Sequence, residues 1–272
     1  MRKTFFTELI DESRLLCVLY DNLPEEIKTD KLYSYIKTYV EKYAVFNNIN
    51  PEKAIDIYTN FITVFNRHCK QFIKTGKYPA ENANENIAFT REEYDMVLLL
   101  SILFAPHRFR IMQLLNQQQF AEKALFIGLG PGLELALTKQ NYKEIHTYDI
   151  SVNKFLQSEF PGIEINAEFY TGQKQDYFDA IYLIELLEHL DDPFKLLQIC
   201  KESLKKSGKV FLTTATDIPQ FDHLYNFPID HIYFEEQVKQ MGFSIVSKEM
   251  IVHNYLTMDI KPFNHFYILE RN

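Results

Sequence analysis

The sequence has no tryptophan, only three cysteines among 272 residues, and no long apolar run. Cys17, Cys69 and Cys200 are too few and too scattered for a disulfide framework or a cysteine-rich zinc site, so we expect reduced thiols. No stretch approaches the roughly 18 apolar residues that a membrane span needs. Charged residues interrupt residues 1–20, which is not the pattern of a signal peptide. We therefore expect a soluble, cytoplasmic protein without a membrane partner.

A cluster of basic residues is also missing. Residues 1–115 contain 15 basic and 15 acidic side chains, whereas residues 116–272 contain 14 and 22, so the whole net charge of −8 lies in the second part. A protein that binds nucleic acid needs a positive face that releases counterions from the phosphates. The charge distribution therefore disfavours a nucleic-acid partner and is compatible with a small-molecule one.

The first part of the chain has the pattern of packed helices. Apolar side chains recur at helical spacing over residues 32–40 and 55–65, and strand-like alternation is absent. Further helices are predicted over residues 90–103 and 107–119. We predict an all-α N-terminal domain, residues 1–118, which would serve as a lid, as part of a substrate site, or as the surface through which a homo-oligomer could form.

From residue 119 onward, short apolar runs alternate with amphipathic segments, which is typical of strand–helix repeats. Seven strands are predicted, at residues 123–128, 145–150, 163–170, 178–185, 209–215, 243–250 and 265–271. Helices fit between the first five, and the last two strands form a hairpin at the sheet edge. We predict that residues 119–272 form an α/β domain of Rossmann-like type, with a doubly wound, mostly parallel, seven-stranded sheet.

A glycine-rich loop follows the first predicted strand. Gly128, Gly130 and Gly132 in IGLGPG open a helix, and the lack of side chains allows a ligand to approach the backbone closely. A dinucleotide-binding motif would have another glycine where Leu133 stands, so the GxGxG spacing disfavours NAD. The loop indicates a nucleoside-binding site, although a tight strand-to-helix turn without a ligand would use the same residues.

An acidic residue, Asp149, ends the second predicted strand. A carboxylate there can accept hydrogen bonds from both ribose hydroxyls of a nucleoside bound over the glycine loop. Taken alone it would be an ordinary strand-end acid. Its position after this loop leads us to assign Asp149 and its neighbour Ile150 to the cofactor-binding site.

The glycine loop, Asp149 and the segment FDAIYLIELLEHLDDP at residues 178–193 together resemble the class I S-adenosylmethionine-dependent methyltransferases. In that family a Phe-Asp pair begins the fourth strand, which leads into a Leu-Glu-His-Leu-x-Asp-Pro turn, a helix, a Ser-Gly turn and the fifth strand. Residues 178–215 reproduce this order. The resemblance covers about residues 120–272 and implies S-adenosylmethionine as cofactor, bound over the loop with its ribose on Asp149.

The sequence departs from the family at two places. Phe126 stands where the family usually has an acidic residue that helps to fix the amino-acid end of the cofactor, so that contact must be made otherwise. The short link between Tyr170 and Phe178 also obscures the polar residue that would contact adenine, and we assign none.

A cluster of acidic residues and histidines is predicted at the carboxyl end of the fourth strand, where ligands bind in doubly wound sheets. Glu185, Glu188 and His189 form an E-x-x-E-H set that shares one face if the chain turns helically. His223 and His231 follow the fifth strand and can approach the same edge. Two carboxylates with one or two imidazoles would suit magnesium, manganese, iron or zinc.

This pattern is similar to that of two branches of the family, the ubiquinone-pathway catechol O-methyltransferases and the small-RNA 3′-end ribose O-methyltransferases. The resemblance implies Glu185, Glu188, His189 and His231 as metal ligands, and His223 as a further ligand or a general base. In metal-independent relatives, a Glu-His pair at this turn only shapes the pocket. Both interpretations remain open at this point.

The sequence therefore predicts an S-adenosylmethionine-dependent methyltransferase that acts on a small molecule, with metal-assisted O-methylation in a biosynthetic pathway as the leading hypothesis. One alternative is a metal-independent N- or C-methyltransferase, with His223 or His231 as the catalytic base. Another is a non-catalytic protein that binds S-adenosylmethionine and contacts a protein partner. The identity of the acceptor depends on loops whose pattern is not diagnostic.

Overall fold

The structure, a computed structural model, describes residues 3–78, 89–118, 121–254 and 261–272. The helices that precede the sheet are α1 (Phe5–Glu12), α2 (Arg14–Asp21), α3 (Glu25–Lys28), α4 (Lys31–Phe46), α5 (Pro51–Thr75), α6 (Arg91–Phe104) and α7 (Pro106–Asn116). The two helices predicted from residues 90 and 107 are α6 and α7. Gln119, the last residue predicted for the second of them, lies outside the described residues.

Helix α6 begins and ends at clear local signals. Thr90 and Glu93 form a capping box, in which each side chain accepts a hydrogen bond from the other residue's backbone N–H. Pro106 then starts α7, and the two helix axes meet at 89°. Among the described residues, no single helix is long and apolar enough to cross a membrane. Helices α6 and α7 taken together would be, by length and composition alone.

The sheet contains the seven predicted strands, namely β1 (Lys123–Ile127), β2 (Glu144–Tyr148), β3 (Ile165–Asn166), β4 (Phe178–Leu183), β5 (Leu204–Thr216), β6 (Phe243–Val252) and β7 (Phe263–Arg271). Their order across the sheet is β3-β2-β1-β4-β5-β7-β6. The first five strands pair with one another in parallel, and β7 is antiparallel to both β5 and β6. This arrangement confirms the predicted doubly wound, mostly parallel sheet.

Two details of the prediction are wrong. The third strand contains only two residues instead of the run 163–170, because the chain leaves the sheet after Asn166 and the side chain of Phe169 is 67% exposed. Residues 167–177, between β3 and β4, form no helix, since this link is short and turns at Gly172 with a positive φ. The predicted hairpin is present, with β6 at the edge and β7 inside the sheet.

Helices cover both faces of the sheet. One face packs against α8 (Leu133–Thr138), α9 (Lys154–Glu159) and the N-terminal helices, in a single hydrophobic core. Within it, Tyr182 stacks between Phe126 and Phe211, with ring centroids 4.5 and 4.8 Å apart. The other face packs against α10 (Pro193–Ser203) and α11 (Ile232–Gln240). The N-terminal helices therefore share a core with the sheet.

Polar contacts fasten the N-terminal helices to the loops at the carboxyl edge of the sheet. The Tyr39 hydroxyl donates to the backbone oxygen of Pro131, at 2.8 Å, inside the glycine loop. The Tyr43 hydroxyl donates to a carboxylate oxygen of Asp95, at 3.1 Å, and accepts from Nδ2 of Asn153, at 2.7 Å. All of these groups are buried, so each hydrogen bond replaces water that the interior excludes.

We expect Tyr43→Phe to lower the free energy of unfolding by about 1–3 kcal/mol, because it leaves the buried side chains of Asp95 and Asn153 each without one hydrogen-bond partner. The matched control is Tyr35→Phe in the same helix, where the ring is 43% exposed; here we expect a change within about 0.5 kcal/mol. Urea unfolding curves measure both. Equal midpoints for the two variants would contradict the anchoring role of Tyr43.

Candidate active site

The glycine loop connects β1 to α8 at the carboxyl edge of the sheet. The backbone N–H of Gly128 donates to the backbone oxygen of Tyr148, which ties the loop to the end of β2. Gly132 has a φ of +79°, and a Cβ there would lie 2.4 Å from Cδ2 of Leu156. Only glycine fits this position, because a side chain would meet both a strained backbone and a packed neighbour. At Gly130 the nearest atom to such a Cβ is Leu98 of α6, at 3.5 Å.

Asp149 lies directly after β2 and is 7% exposed. One of its carboxylate oxygens accepts from the backbone N–H of Gly130, at 3.1 Å, and the other accepts from the N–H of Ser151, at 2.8 Å. A guanidinium nitrogen of Arg91, on α6, is 3.5 Å away. The structure therefore joins Asp149 to the glycine loop as the sequence predicts, and the side chain of Ile150 beside it is 63% exposed.

Phe126 points away from this edge, into the core that the sheet shares with the N-terminal helices. A charged pair that the sequence pattern did not predict lies just after the end of β4. A guanidinium nitrogen of Arg108, on α7, lies 2.5 Å from Oε2 of Glu185. Glu134, in the first turn of α8, is close enough for its carboxyl to interact electrostatically with Arg108, and burial raises the pKa of that carboxyl to about 7.

The backbone conformation of Glu185 turns this residue away from Glu188 and His189, the other members of the E-x-x-E-H set. Its φ is +50°, and a 3₁₀ turn follows at Leu187–His189, so the set does not share one face of a regular α-helix. Besides Arg108, the carboxylate accepts from Nδ2 of Asn264, at 2.8 Å. Both carboxylate oxygens of Glu185 are therefore already in contact with hydrogen-bond donors.

The structure brings Glu188, His189 and His223 together, with one potential ligand atom from each lying within 4.8 Å of the others. The side chains of Glu188 and His223 are 1% and 4% exposed. One carboxylate oxygen of Glu188 and Nδ1 of His223 are buried without a hydrogen-bond partner among the described residues. Unpaired buried polar atoms are costly, so this cluster is suited to hold a cation.

The charges within the cluster shift the ionisation of its members. Burial and the nearby charge of Glu185 raise the pKa of Glu188. Burial, together with the charge of His189, lowers the pKa of His223 to about 3. Burial opposes protonation of His189, but the charges of Asp222 and Glu188 raise its pKa. The cluster thus pairs a neutral imidazole with a carboxyl group that readily takes up a proton.

His231 is not brought to this cluster. It is the N-cap residue of α11 and is fully buried, and its Nε2 lies 3.0 Å from the Thr216 hydroxyl. Its Nδ1 lies 3.1 Å from the Tyr267 hydroxyl, and a nitrogen of His265 is 3.2 Å from its Nε2. Both ring nitrogens therefore have partners between β5 and β7. Of the two histidines that follow the fifth strand, the structure brings His223, and not His231, to Glu188 and His189.

His189 is surrounded by a second group of residues that no pattern in the sequence predicted. Its Nδ1 lies 3.0 Å from the backbone oxygen of Asp222. The Asp222 carboxylate accepts from the Tyr94 hydroxyl, at 2.6 Å, and from Nε2 of Gln220, at 2.8 Å. Burial opposes ionisation of Asp222, but the charge of His189 lowers its pKa, so it remains a carboxylate. Tyr94 comes from α6, which no spacing in the sequence connects to this loop.

Two cavities open beside these groups. The first is lined by Arg108, Glu185 and His223, with aromatic residues of α5 such as Tyr58, Phe61 and Phe65 on its wall. The second lies between the start of α6 and the loops that follow β2 and β5. Arg91 and Ser151 line this second cavity, which places it next to Asp149.

Comparison with known proteins agrees with this architecture. A family profile described as a methyltransferase domain matches residues 107–248. A ubiquinone biosynthesis O-methyltransferase from Shewanella sp. is 28% identical over 104 residues, which cover 35% of this chain and 44% of that protein. Its counterpart from Haemophilus ducreyi is 26% identical over 128 residues, which cover 41% and 53%. The chain thus matches about half the length of these curated relatives.

A solved structure supports the fold. The YcgJ protein from Bacillus subtilis superposes with a TM-score of 0.50 at 12% identity, covering 60% of this chain and 99% of that one. The family match spans strands β1 to β5, the glycine loop, Asp149 and the cluster of Glu188, His189 and His223. The chain therefore belongs to the methyltransferase domain family, within the class I S-adenosylmethionine-dependent methyltransferases.

Proposed function

We propose that the protein transfers a methyl group from S-adenosylmethionine to an oxygen atom of a small molecule, assisted by a divalent metal ion. The observation that carries this proposal is the buried cluster of Glu188, His189 and His223 beside a cavity with aromatic walls. A cavity lined by aromatic side chains and a few polar groups suits a small organic acceptor. The net charge of −8 further favours a small molecule over a nucleic acid.

The donor would lie over the glycine loop, with its ribose hydroxyls on Asp149. Its methionine end would extend toward Arg108, whose guanidinium matches the geometry of a carboxylate. Glu185 pairs with Arg108 and Glu134 lies near it, so their carboxyl oxygens could accept hydrogen bonds from the donor's ammonium group. These residues supply the contacts that the family's usual acidic residue would make if Phe126 did not occupy its position.

The metal-binding part of the proposal is supported by the donor set. One oxygen of Glu188 and Nδ1 of His223 have no hydrogen-bond partner among the described residues, and both residues lie beside His189. Nδ1 of His189 contacts the backbone oxygen of Asp222, which leaves Nε2 for a metal ion. One carboxylate with two imidazoles suits manganese, iron or zinc better than magnesium, which prefers an all-oxygen shell. Bound there, such an ion would lower the pKa of an acceptor hydroxyl that contacts it.

The residues of the chain would align the two reactants. Methyl transfer requires the acceptor oxygen to approach the sulfonium methyl in line, and the aromatic residues of α5 restrict how an acceptor can lie in the cavity. The reaction neutralises a negative oxygen and a positive sulfonium, so a cavity closed by helices favours it over the same step in water. The helices would thus both hold the acceptor and exclude solvent.

A second candidate function rests on the raised pKa of Glu188. A carboxyl group whose pKa is raised toward neutrality is a better general base than an ordinary one. Glu188 could then accept the acceptor's proton in a metal-independent N- or O-methyltransferase. A histidine base is less favoured, because the low pKa of His223 makes it a weak base and His231 lies apart.

The donor site can be tested by calorimetry with S-adenosylhomocysteine. We expect this nucleoside to bind and NAD not to bind. Asp149→Ala should weaken nucleoside binding by about 1.5–3 kcal/mol, because two ribose hydroxyls lose a charged acceptor. The control is Asp179→Ala. Asp179 lies at the start of β4, away from the edge that carries the glycine loop, so its loss should change the affinity for S-adenosylhomocysteine by no more than about twofold. Tight NAD binding without a response to the nucleoside would overturn the assignment of the donor.

The metal site can be tested by chelation and substitution. We expect methyl transfer to stop when divalent ions are removed and to return when Mn²⁺ or Zn²⁺ is added. Glu188→Gln and His223→Ala should weaken Mn²⁺ binding by about 100-fold or more, since loss of an outer-shell partner alone costs about 10–100-fold. Both variants should still bind S-adenosylhomocysteine, because the glycine loop does not depend on these side chains.

The matched control for the metal site is His231→Gln, a buried histidine outside the cluster, which should keep Mn²⁺ binding in the folded protein. Elemental analysis and calorimetry give the metal content and affinity. Full activity in a chelated, metal-free protein would refute metal assistance. In that case loss of activity in Glu188→Gln would favour the general-base alternative.

A further inference from the structure

Helix α6 contacts both halves of the candidate site through one face. Arg91 and Tyr94 are three residues apart, so their side chains project from the same side of the helix. Arg91 lies 3.5 Å from the Asp149 carboxylate, and Tyr94 donates to the Asp222 carboxylate at 2.6 Å. Both residues line the second cavity, beside Ser151. A ligand in that cavity would therefore touch the face of α6 that carries both contacts.

Asp222 connects Tyr94 to the metal-binding cluster. Its backbone oxygen lies 3.0 Å from Nδ1 of His189, and its carboxylate lies 3.5 Å from the same nitrogen. An outer partner of this kind sets the ring orientation of a metal-binding histidine. Any displacement of Asp222 would thus change the direction in which the other ring nitrogen of His189 points.

The contact between Arg91 and Asp149 competes with the proposed donor. The Asp149 oxygen nearest to Arg91 also accepts from the backbone N–H of Gly130, at 3.1 Å. Two ribose hydroxyls on this carboxylate would need the space and the lone pairs that the guanidinium now uses. Arg91 also lies 3.0 Å from the buried carboxylate of Asp95, one turn along the same helix, so it retains an ion-pair partner when it leaves Asp149.

We propose that α6 couples the donor site to the metal site, with Tyr94 and Asp222 as positioning residues for His189. A donor whose ribose displaces Arg91 from Asp149 removes one contact of the first turn of α6 and shifts this turn, and Tyr94 passes the shift to Asp222 and the His189 ring. Occupancy of one site should therefore change the affinity of the other, by the same factor in both directions. This inference rests on the proposed function, since it requires both sites.

The test measures S-adenosylhomocysteine affinity by calorimetry with and without saturating Mn²⁺, in the full chain. For the wild type we expect Mn²⁺ to change the affinity for S-adenosylhomocysteine by about fivefold or more, which is the lower end of typical coupling between sites. In Tyr94→Phe, which removes only the hydroxyl, the ratio of the two affinities should fall to about one, while each ligand alone still binds.

Two further variants complete the experiment. Tyr170→Phe is the matched control, because this buried hydroxyl donates to Ser203 in the core on the other face of the sheet and should keep the wild-type ratio. Asp222→Asn keeps the backbone oxygen for His189 but turns one acceptor of the side chain into a donor, and should also lose the coupling. It serves as the second variant if Tyr94→Phe does not fold.

The results separate the inference from the proposed function. A wild type that binds both ligands with a ratio of one overturns the coupling and leaves the function standing. If Tyr94→Phe or Asp222→Asn keeps the wild-type ratio of S-adenosylhomocysteine affinities with and without Mn²⁺, these residues do not transmit the coupling. If the wild type binds S-adenosylhomocysteine but no Mn²⁺, the metal part of the proposed function fails, and the coupling fails with it.

Discussion

Parallel pairing of the strands is the constraint on which the candidate site depends. Strands β1, β2, β4 and β5 run in the same direction, so their carboxyl ends lie at one edge of the sheet. The glycine loop, Asp149, Glu188 and His223 each follow one of these ends. They gather at this edge because the strands are parallel, although they lie far apart along the chain. Ligand sites in open α/β sheets form at this edge for the same reason.

The N-terminal helices complete the edge that the strands begin. Tyr39 holds the glycine loop, Arg91 reaches Asp149 and Arg108 reaches Glu185, each from a different helix. These contacts are possible because the helices pack on one face of the sheet in a continuous core. The charged groups at the site are therefore supplied jointly by helices and strands, and the helices bring the positive charges.

Local patterns in the sequence predicted the sheet, the glycine loop and Asp149, because strand periodicity and a glycine turn depend on neighbouring residues. The ligand set was harder to predict. The left-handed backbone of Glu185 turns this residue away from Glu188 and His189. Whether His223 or His231 joins those two residues depends on the path of residues 217–231. The contacts of Tyr94 and Arg108 link residues 128 and 77 positions apart, and no periodicity records such pairs.

The shared core also bears on the order in which the protein can form during synthesis. The N-terminal helices leave the ribosome first, but the aromatic surface that they cover belongs to β1, β4 and β5, which are made later. The helices can pack on one another before then, but the faces that contact the sheet stay uncovered until these strands pair. The first part of the chain therefore exposes apolar surface until β5, which ends at Thr216, has been made.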